Sequence, residues 1–134
     1  MTVTFTIPYP PTKAGKAQWA KDYGLNAYWT GKHWGRRRAD AEYWHSLTHA
    51  QLRAQGVPRR LFAGPVAVTF SWDDGLDVDN HAAMGKMILD ALKGWLIPDD
   101  SRRYVTEVRH RCHRGGVIRV EVTDAAAAEK GGAP

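Results

Sequence analysis

The sequence predicts an α+β protein, a mixed β-sheet of about four strands with two main helices packed on it. Three observations carry this. Four short stretches are rich in β-branched or aromatic residues, and the first two alternate apolar with small or polar side chains. Two longer stretches repeat apolar residues at helical spacing. The 134 residues, 43% apolar and 25% charged, are enough for one core without disulfides. Residues 1–124 read as a single domain and 125–134, AAAAEKGGAP, as a flexible low-complexity tail.

Thr2 to Ile7 sets Val3, Phe5 and Ile7 against three threonines, the period of a half-buried strand. Pro8, Pro10 and Pro11 end it. Residues 12–35 show no sustained periodicity and read as a long loop with a short helical piece near Gln18. From about Arg37 to Gln55 a helix is expected, with Tyr43, Leu47, Ala50 and Ala54 on one face, Trp44 and Gln51 beside it, and Gly56 and Pro58 as the stop. Pro65 to Trp72 is a second strand, and Asp73 to Asp79 a loop. A second helix is expected from Asn80 or His81 to Lys93. Met84, Met87, Ile88, Ala91, Leu92 and Trp95 form its apolar stripe, and Gly94 sits just past its end. Arg103 to His113 and Val117 to Thr123 read as strands of a hairpin joined across Arg114-Gly115-Gly116.

Cys112 is the one cysteine, so no internal disulfide can form and a reducing cytoplasm is the expected setting. The first residues lack the basic start and apolar stretch of a secretory signal. No apolar run approaches the roughly 18–20 residues of a membrane helix, so no membrane partner is expected. His110, Cys112 and His113 have no partner cluster at zinc-ligand spacing.

The net charge of +5 is unevenly placed. Seven basic residues (Lys13, Lys16, Lys21, Lys32, Arg36, Arg37, Arg38) face Asp22 alone between positions 13 and 38. Trp19, Tyr23, Tyr28, Trp29 and Trp34 lie among them. Cations interleaved with aromatics suit phosphate contacts and base stacking, and equally suit a solvated loop whose aromatics pack on the core. Arg102, Arg103, Arg109, Arg111 and Arg114 are further candidates for phosphate contacts, or for charges that protect a sheet edge. In contrast, seven of the fourteen acids fall between Asp73 and Asp100, opposed by Lys86 and Lys93. Divalent cations would reconcile this acidic stretch with a polyanionic partner.

Within it, Asp77-Val78-Asp79 follows a strand, and two carboxylates in an extended D-x-D project to one side. Such a pair suits Mg²⁺, which takes hard oxygens and keeps several waters. It equally suits a turn or a helix cap. Asp99 and Asp100 lie past the second helix, where the chain can fold back to supply a third carboxylate. Lys86 falls on the helix face away from the apolar stripe. There it could meet a phosphate, or simply pair with Asp90.

The stretch DVDN (Asp77 to Asn80), Lys86, DALKG (Asp90 to Gly94) and Asp99-Asp100 resembles the RusA family of Holliday-junction resolvases. That family carries D-x-D-N, a lysine, D-A-L-x-G and a D-D pair, with the lysine four residues before the second aspartate. The opening strand, Pro10-Pro11, Asn26 followed by aromatics, and a basic run leading into a helix are also similar. The likeness spans about Thr2 to Thr123. The Asn80-to-Lys86 gap and the Pro11-to-Asn26 segment are longer than the family pattern. The resemblance implies an α+β homodimer that uses Mg²⁺, with Mn²⁺ as a substitute, to nick four-way DNA junctions in pairs. It implies Asp77, Asp79 and Asp100 as metal-binding and catalytic residues and Lys86 as the catalytic lysine. Asn26, Lys32, Arg36, Arg37, Arg38, Arg102 and Arg103 are the candidate DNA contacts. A looser nuclease for flaps and other branched DNA, and a junction binder that does not cut, are the alternatives.

Overall fold

A computed structural model describes residues 1–126. The tail expected from Ala125 onward lies, from residue 127, outside the described residues; Ala125 itself donates to the Pro65 carbonyl. Four strands form one mixed sheet: β1 (Thr2–Pro8), β2 (Val66–Trp72), β3 (Val105–Cys112) and β4 (Val117–Asp124), in the order β1-β4-β2-β3. β1 and β2 both run antiparallel to β4, whereas β2 and β3 are parallel. Phe5, Ile7, Val68, Phe70, Trp72, Ile118 and Val120 point to one face, where helices cover them. The threonines of β1 and Arg119 and Glu121 of β4 point to the other. No helix among the described residues is long and apolar enough to cross a membrane.

The expected hairpin between the last two strands is not formed: β2 lies between β3 and β4. The physical reason is in the burial of each strand. β2 is buried at six of its seven positions, as a strand needs when neighbours flank both sides. β3 buries Val105 and leaves most of its length exposed, and its Glu107, Arg109 and Arg111 suit an edge. The 113–116 connection therefore crosses the end of β2. His113 donates its N–H to the Trp72 carbonyl (2.9 Å), and Gly116 donates to an Asp73 carboxylate oxygen (2.9 Å).

Two main helices and a short helical piece near Gln18 are predicted from sequence, and four helices are present among the described residues: α1 (Lys13–Tyr23), α2 (Leu25–Trp29), α3 (Trp34–Ala54) and α4 (Ala82–Ala91). α1 and α2 replace most of the expected long loop. Thr12 caps α1 by accepting from the Gly15 N–H (3.0 Å), yet Gly15 stands where a capping-box Glu or Gln would betray the helix in sequence. What holds α1 is tertiary: Trp19 packs edge-on to Tyr9 (5.1 Å between rings) and against Trp44 (5.3 Å). In α3 the buried face is Trp44, Thr48 and Leu52, with Leu47 and Gln51 at its border. Tyr43, Ala50 and Ala54, expected on the core side, are exposed. Burying an alanine takes a single methyl group out of water, worth about 0.8 kcal/mol, so Ala50 and Ala54 do little to fix the buried face, while Thr48 is buried despite its hydroxyl.

α4 lies close on the sheet because position 85 is glycine. A Cβ there would stand 2.7 Å from the His110 ring and 3.5 Å from Phe70. The helix ends at Ala91, two residues before the expected Lys93, and Gly94 then turns the chain at φ +77°, a conformation that favours glycine. β3 starts two residues later than expected, because Tyr104 and Val105 both donate to the Ser101 carbonyl in a turn.

Candidate functional site

The loop leaving β2 is fastened from below. The Asp74 side chain is almost wholly buried, and its carboxylate accepts from His81 Nε2 (2.8 and 2.9 Å), the Tyr9 hydroxyl (3.0 Å) and the Leu76 N–H (3.1 Å). Burial alone would raise the Asp74 pKa. The His81 hydrogen bond and charge, with the Leu76 and Tyr9 donors, outweigh it and hold the carboxyl below its usual range. His81 is fully buried, stacks on Trp72 at 4.4 Å, and sets its Nδ1 3.1 Å from the Val78 carbonyl. Carboxylate and carbonyl oxygens can only accept. Nε2 therefore carries the hydrogen that it donates to Asp74. Tyr9 also accepts from the Asp73 N–H (2.7 Å), which ties the first strand to the loop.

Above this anchor Val78–His81 makes one 3-10 turn, kinked at Asn80 before α4 begins. Asp77 and Asp79 are exposed on it and line a pocket of about 220 Å³ with Asn80, Leu25 and Asn26. Asn80 Oδ1 accepts from the Asn26 N–H (3.2 Å), so α2 forms the far wall. No cationic side chain lines the pocket, and neither aspartate has a hydrogen-bond or ion-pair partner among the described residues. The donor set is two carboxylates and a side-chain amide that is already engaged. It fits a hard divalent cation that keeps most of its waters and has positions left for phosphate.

Asp100 is not part of this pocket. It pairs with Lys93 (3.3 Å) and Lys86 (3.8 Å), and both lysines also meet Asp90 (3.4 and 3.6 Å). The neighbouring Asp90 carboxyl, with the charges of Lys93 and Lys86, holds Asp100 below the usual carboxylate range. Asp77 and Asp79 are thus brought together, and Lys86 is brought to Asp100, in two separate clusters along α4. Among the described residues no three His, Cys, Asp or Glu side chains group closely enough to hold a metal ion. Asp99 is exposed beside Asp100.

The candidate DNA contacts divide sharply. Lys32 is an internal cation: its side chain is 12% exposed, pairs with Asp40, donates to the Asp22 carbonyl (2.7 Å) and lies over the Tyr28 ring at 4.8 Å. Its charge looks available in sequence because its partner is eight positions away. Arg37 donates to the Tyr28 carbonyl (3.0 Å) while remaining exposed. Arg36 and Arg38 are exposed on the first turns of α3, and Arg38 has one loose contact with Glu42 (3.6 Å). Trp29 and Trp34 flank this turn at 84% and 71% exposure, unlike Trp19 and Trp44, which the core consumes. Arg102 and Arg103 are exposed before β3, with Arg103 over the Tyr104 ring at 5.5 Å. Sequence reasoning missed Asp74, His81 and Tyr9, the residues that hold the D-x-D turn. A histidine directly after D-x-D-N was the one available signal.

Compared with family models and with curated proteins, the chain matches none.

Proposed function

We propose that this protein is a divalent-metal-dependent endonuclease for branched DNA, of the Holliday-junction-resolving kind, acting as a homodimer. One observation carries the proposal: Asp77 and Asp79 are two unpartnered carboxylates on a firmly anchored turn, in a pocket without a cation. Two carboxylates lining one pocket give a divalent cation hard oxygen ligands and compensate its charge. Bound Mg²⁺ would supply Lewis-acid charge and an activated water there. Asp77 and Asp79 would hold it, Asn80 and Asn26 would wall the site, and the exposed Arg36, Arg38, Trp29 and Trp34 would hold DNA by phosphate contact and stacking. Lys86 would meet the phosphate as a cation, and Asp100, which pairs with it outside the pocket, would position it. Resolving a four-way junction needs two symmetric nicks, which a two-fold dimer supplies.

The separation of Asp100 from the pocket favours a second reading, a junction binder that does not cut. Cleavage of an immobile four-way junction, with and without Mg²⁺, separates the two. Under the nuclease reading Asp79→Asn abolishes cutting and leaves junction binding intact or tighter, because it removes a metal ligand and a charge that repels phosphate. Full activity in that variant would remove the pocket from the reaction. Metal-independent binding by a wild-type chain that never cuts would establish the second reading.

A further inference from the structure

The face of the sheet turned away from the helices holds an arginine-lined cleft that the acidic pocket does not explain. Strand register builds it. Ser71 in β2 stands between Arg111 of β3 and Arg119 of β4, and Thr69 stands between Arg109 and Glu121 in the next row. These six side chains line a cleft of about 480 Å³. Its floor is small and polar, since β2 contributes hydroxyls where its two neighbours contribute long cations. Adjacent strands are ~4.8 Å apart, so Arg111 and Arg119 spring from backbones roughly 10 Å apart, and their forks can converge on one anion above Ser71.

The charges in the cleft are unequally matched. Glu107 clamps Arg109 through two contacts (2.6 and 3.1 Å). Glu121 touches Arg119 through one (3.3 Å). Arg111 has no carboxylate in ion-pair range among the described residues. Three guanidiniums and one carboxylate line the cleft, so its wall carries surplus positive charge. It lies toward the same end of β2 and β3 as the Asp73–Asp79 loop, because Ser71 is two residues before Asp73.

We propose that this cleft binds a phosphodiester of duplex DNA, with Arg111 and Arg119 gripping its oxygens across the Ser71 and Thr69 hydroxyls. Guanidinium forks match phosphate oxygens two at a time, and the hydroxyls add neutral donors beneath. The cleft rests on the nucleic-acid reading for the source of its phosphate, not on cleavage. It places a backbone contact on the sheet, opposite the face covered by helices.

The test is binding of the full chain to a fluorescent DNA duplex in EDTA, read as log K against log salt, beside sedimentation without DNA. The Arg111→Ala/Arg119→Ala double variant should lower the slope by ~0.9, the share of the one phosphate that the two arginines hold together. Glu121→Gln should tighten binding. Arg111 and Arg119 are exposed and Glu121 is half-buried, and unaltered thermal melts confirm the fold. An unchanged slope in the double variant overturns the proposal. So does a double variant whose slope is unchanged and whose sedimentation shifts, which would make this face an interface between two copies of the chain. Cutting is not part of the readout. A wild-type chain that cuts nothing but loses slope in the double variant refutes the nuclease reading and leaves the cleft standing.

Discussion

Replacing His81 with alanine tests whether the D-x-D turn is held by its buried anchor. The ring is wholly inaccessible, meets Asp74 at 2.8 and 2.9 Å, and stacks on Trp72. Its removal leaves a buried carboxylate with the Tyr9 hydroxyl and the Leu76 N–H as remaining donors. Removing one member of a buried pair typically costs about 3–5 kcal/mol, because the surviving charge stays desolvated. Domains of this size have about 5–15 kcal/mol in total. The variant should therefore fold with a melting temperature lower by roughly 10–20 °C. Urea melts of wild type, His81→Ala, Asp74→Ala and the double variant form the assay. The double variant should cost clearly less than the two singles together, by ~1.5 kcal/mol or more, as expected for groups in direct contact. A loss below ~1 kcal/mol in His81→Ala, or strict additivity around the cycle, would show that the turn is held by something else.

The remaining expectations are narrower. Changing Arg36, Arg37 and Arg38 together to alanine should lower the salt slope of DNA binding by about 2 rather than 3, because Arg37 is partly engaged by the Tyr28 carbonyl; an unchanged slope would mean this turn does not touch DNA. His110 Nδ1 accepts from the Trp72 indole N–H (3.0 Å), and burial, with the His81 charge, lowers its pKa. The unfolded chain then takes up this proton first. The stability His110 contributes is thus full above the ordinary histidine value near 6.5 and declines as pH falls below it. His110→Gln, which keeps an acceptor for the indole, should flatten that decline between about pH 7 and 5; an identical pH profile would rule His110 out as its source.

How far the sequence could be read follows the range of the forces involved. β1 and β2 are legible because alternation is local, and Asp77 and Asp79, two positions apart, line one pocket, although the chain there forms a 3-10 turn where an extended D-x-D was expected. The apolar stripe of α4 is legible for the same reason, with Met84, Ile88 and Ala91 all buried. The β3–β4 partnership is not, since adjacency along the chain suggested a hairpin that the burial demand of β2 overrules. Only a short helical piece near Gln18 was legible of α1, because the full Lys13–Tyr23 helix is held by Trp19 against Tyr9 and Trp44, which no window around Gln18 contains. In the site, the Asp77–Asp79 pair could be read locally, whereas the fate of Asp100 depends on lysines at positions 86 and 93. The anchor beneath the turn joins residues 9, 74 and 81, so only the folded chain reveals it.

Lys86 is where the family likeness and the geometry press hardest on each other. α4 begins at Ala82 after a separate 3-10 turn, so the helix does not reach back to Asp79, and Lys86 stands one turn into it. Its side chain is 70% exposed and opposite the buried stripe, 3.6 Å from Asp90 and 3.8 Å from Asp100. Exposed pairs of this kind contribute about 0–1 kcal/mol, so Lys86→Ala should melt close to wild type. If the ammonium stabilises charge on a phosphate, turnover should nevertheless fall by ~10²–10³, or about 3–4 kcal/mol. Lys93 is the natural control, since it makes the same two partnerships at shorter range (3.4 and 3.3 Å). A lysine whose task is to hold Asp100 in place should then matter less at position 86 than at 93. A lysine that meets phosphate should matter at 86 and be nearly silent at 93. Junction-cutting rates of Lys86→Ala, Lys93→Ala and Lys86→Arg distinguish these, with arginine expected to restore part of the rate by returning the charge. A loss at 93 at least as large as at 86 would assign the lysines to Asp100, and near-normal turnover in Lys86→Ala would leave it a surface partner of Asp90.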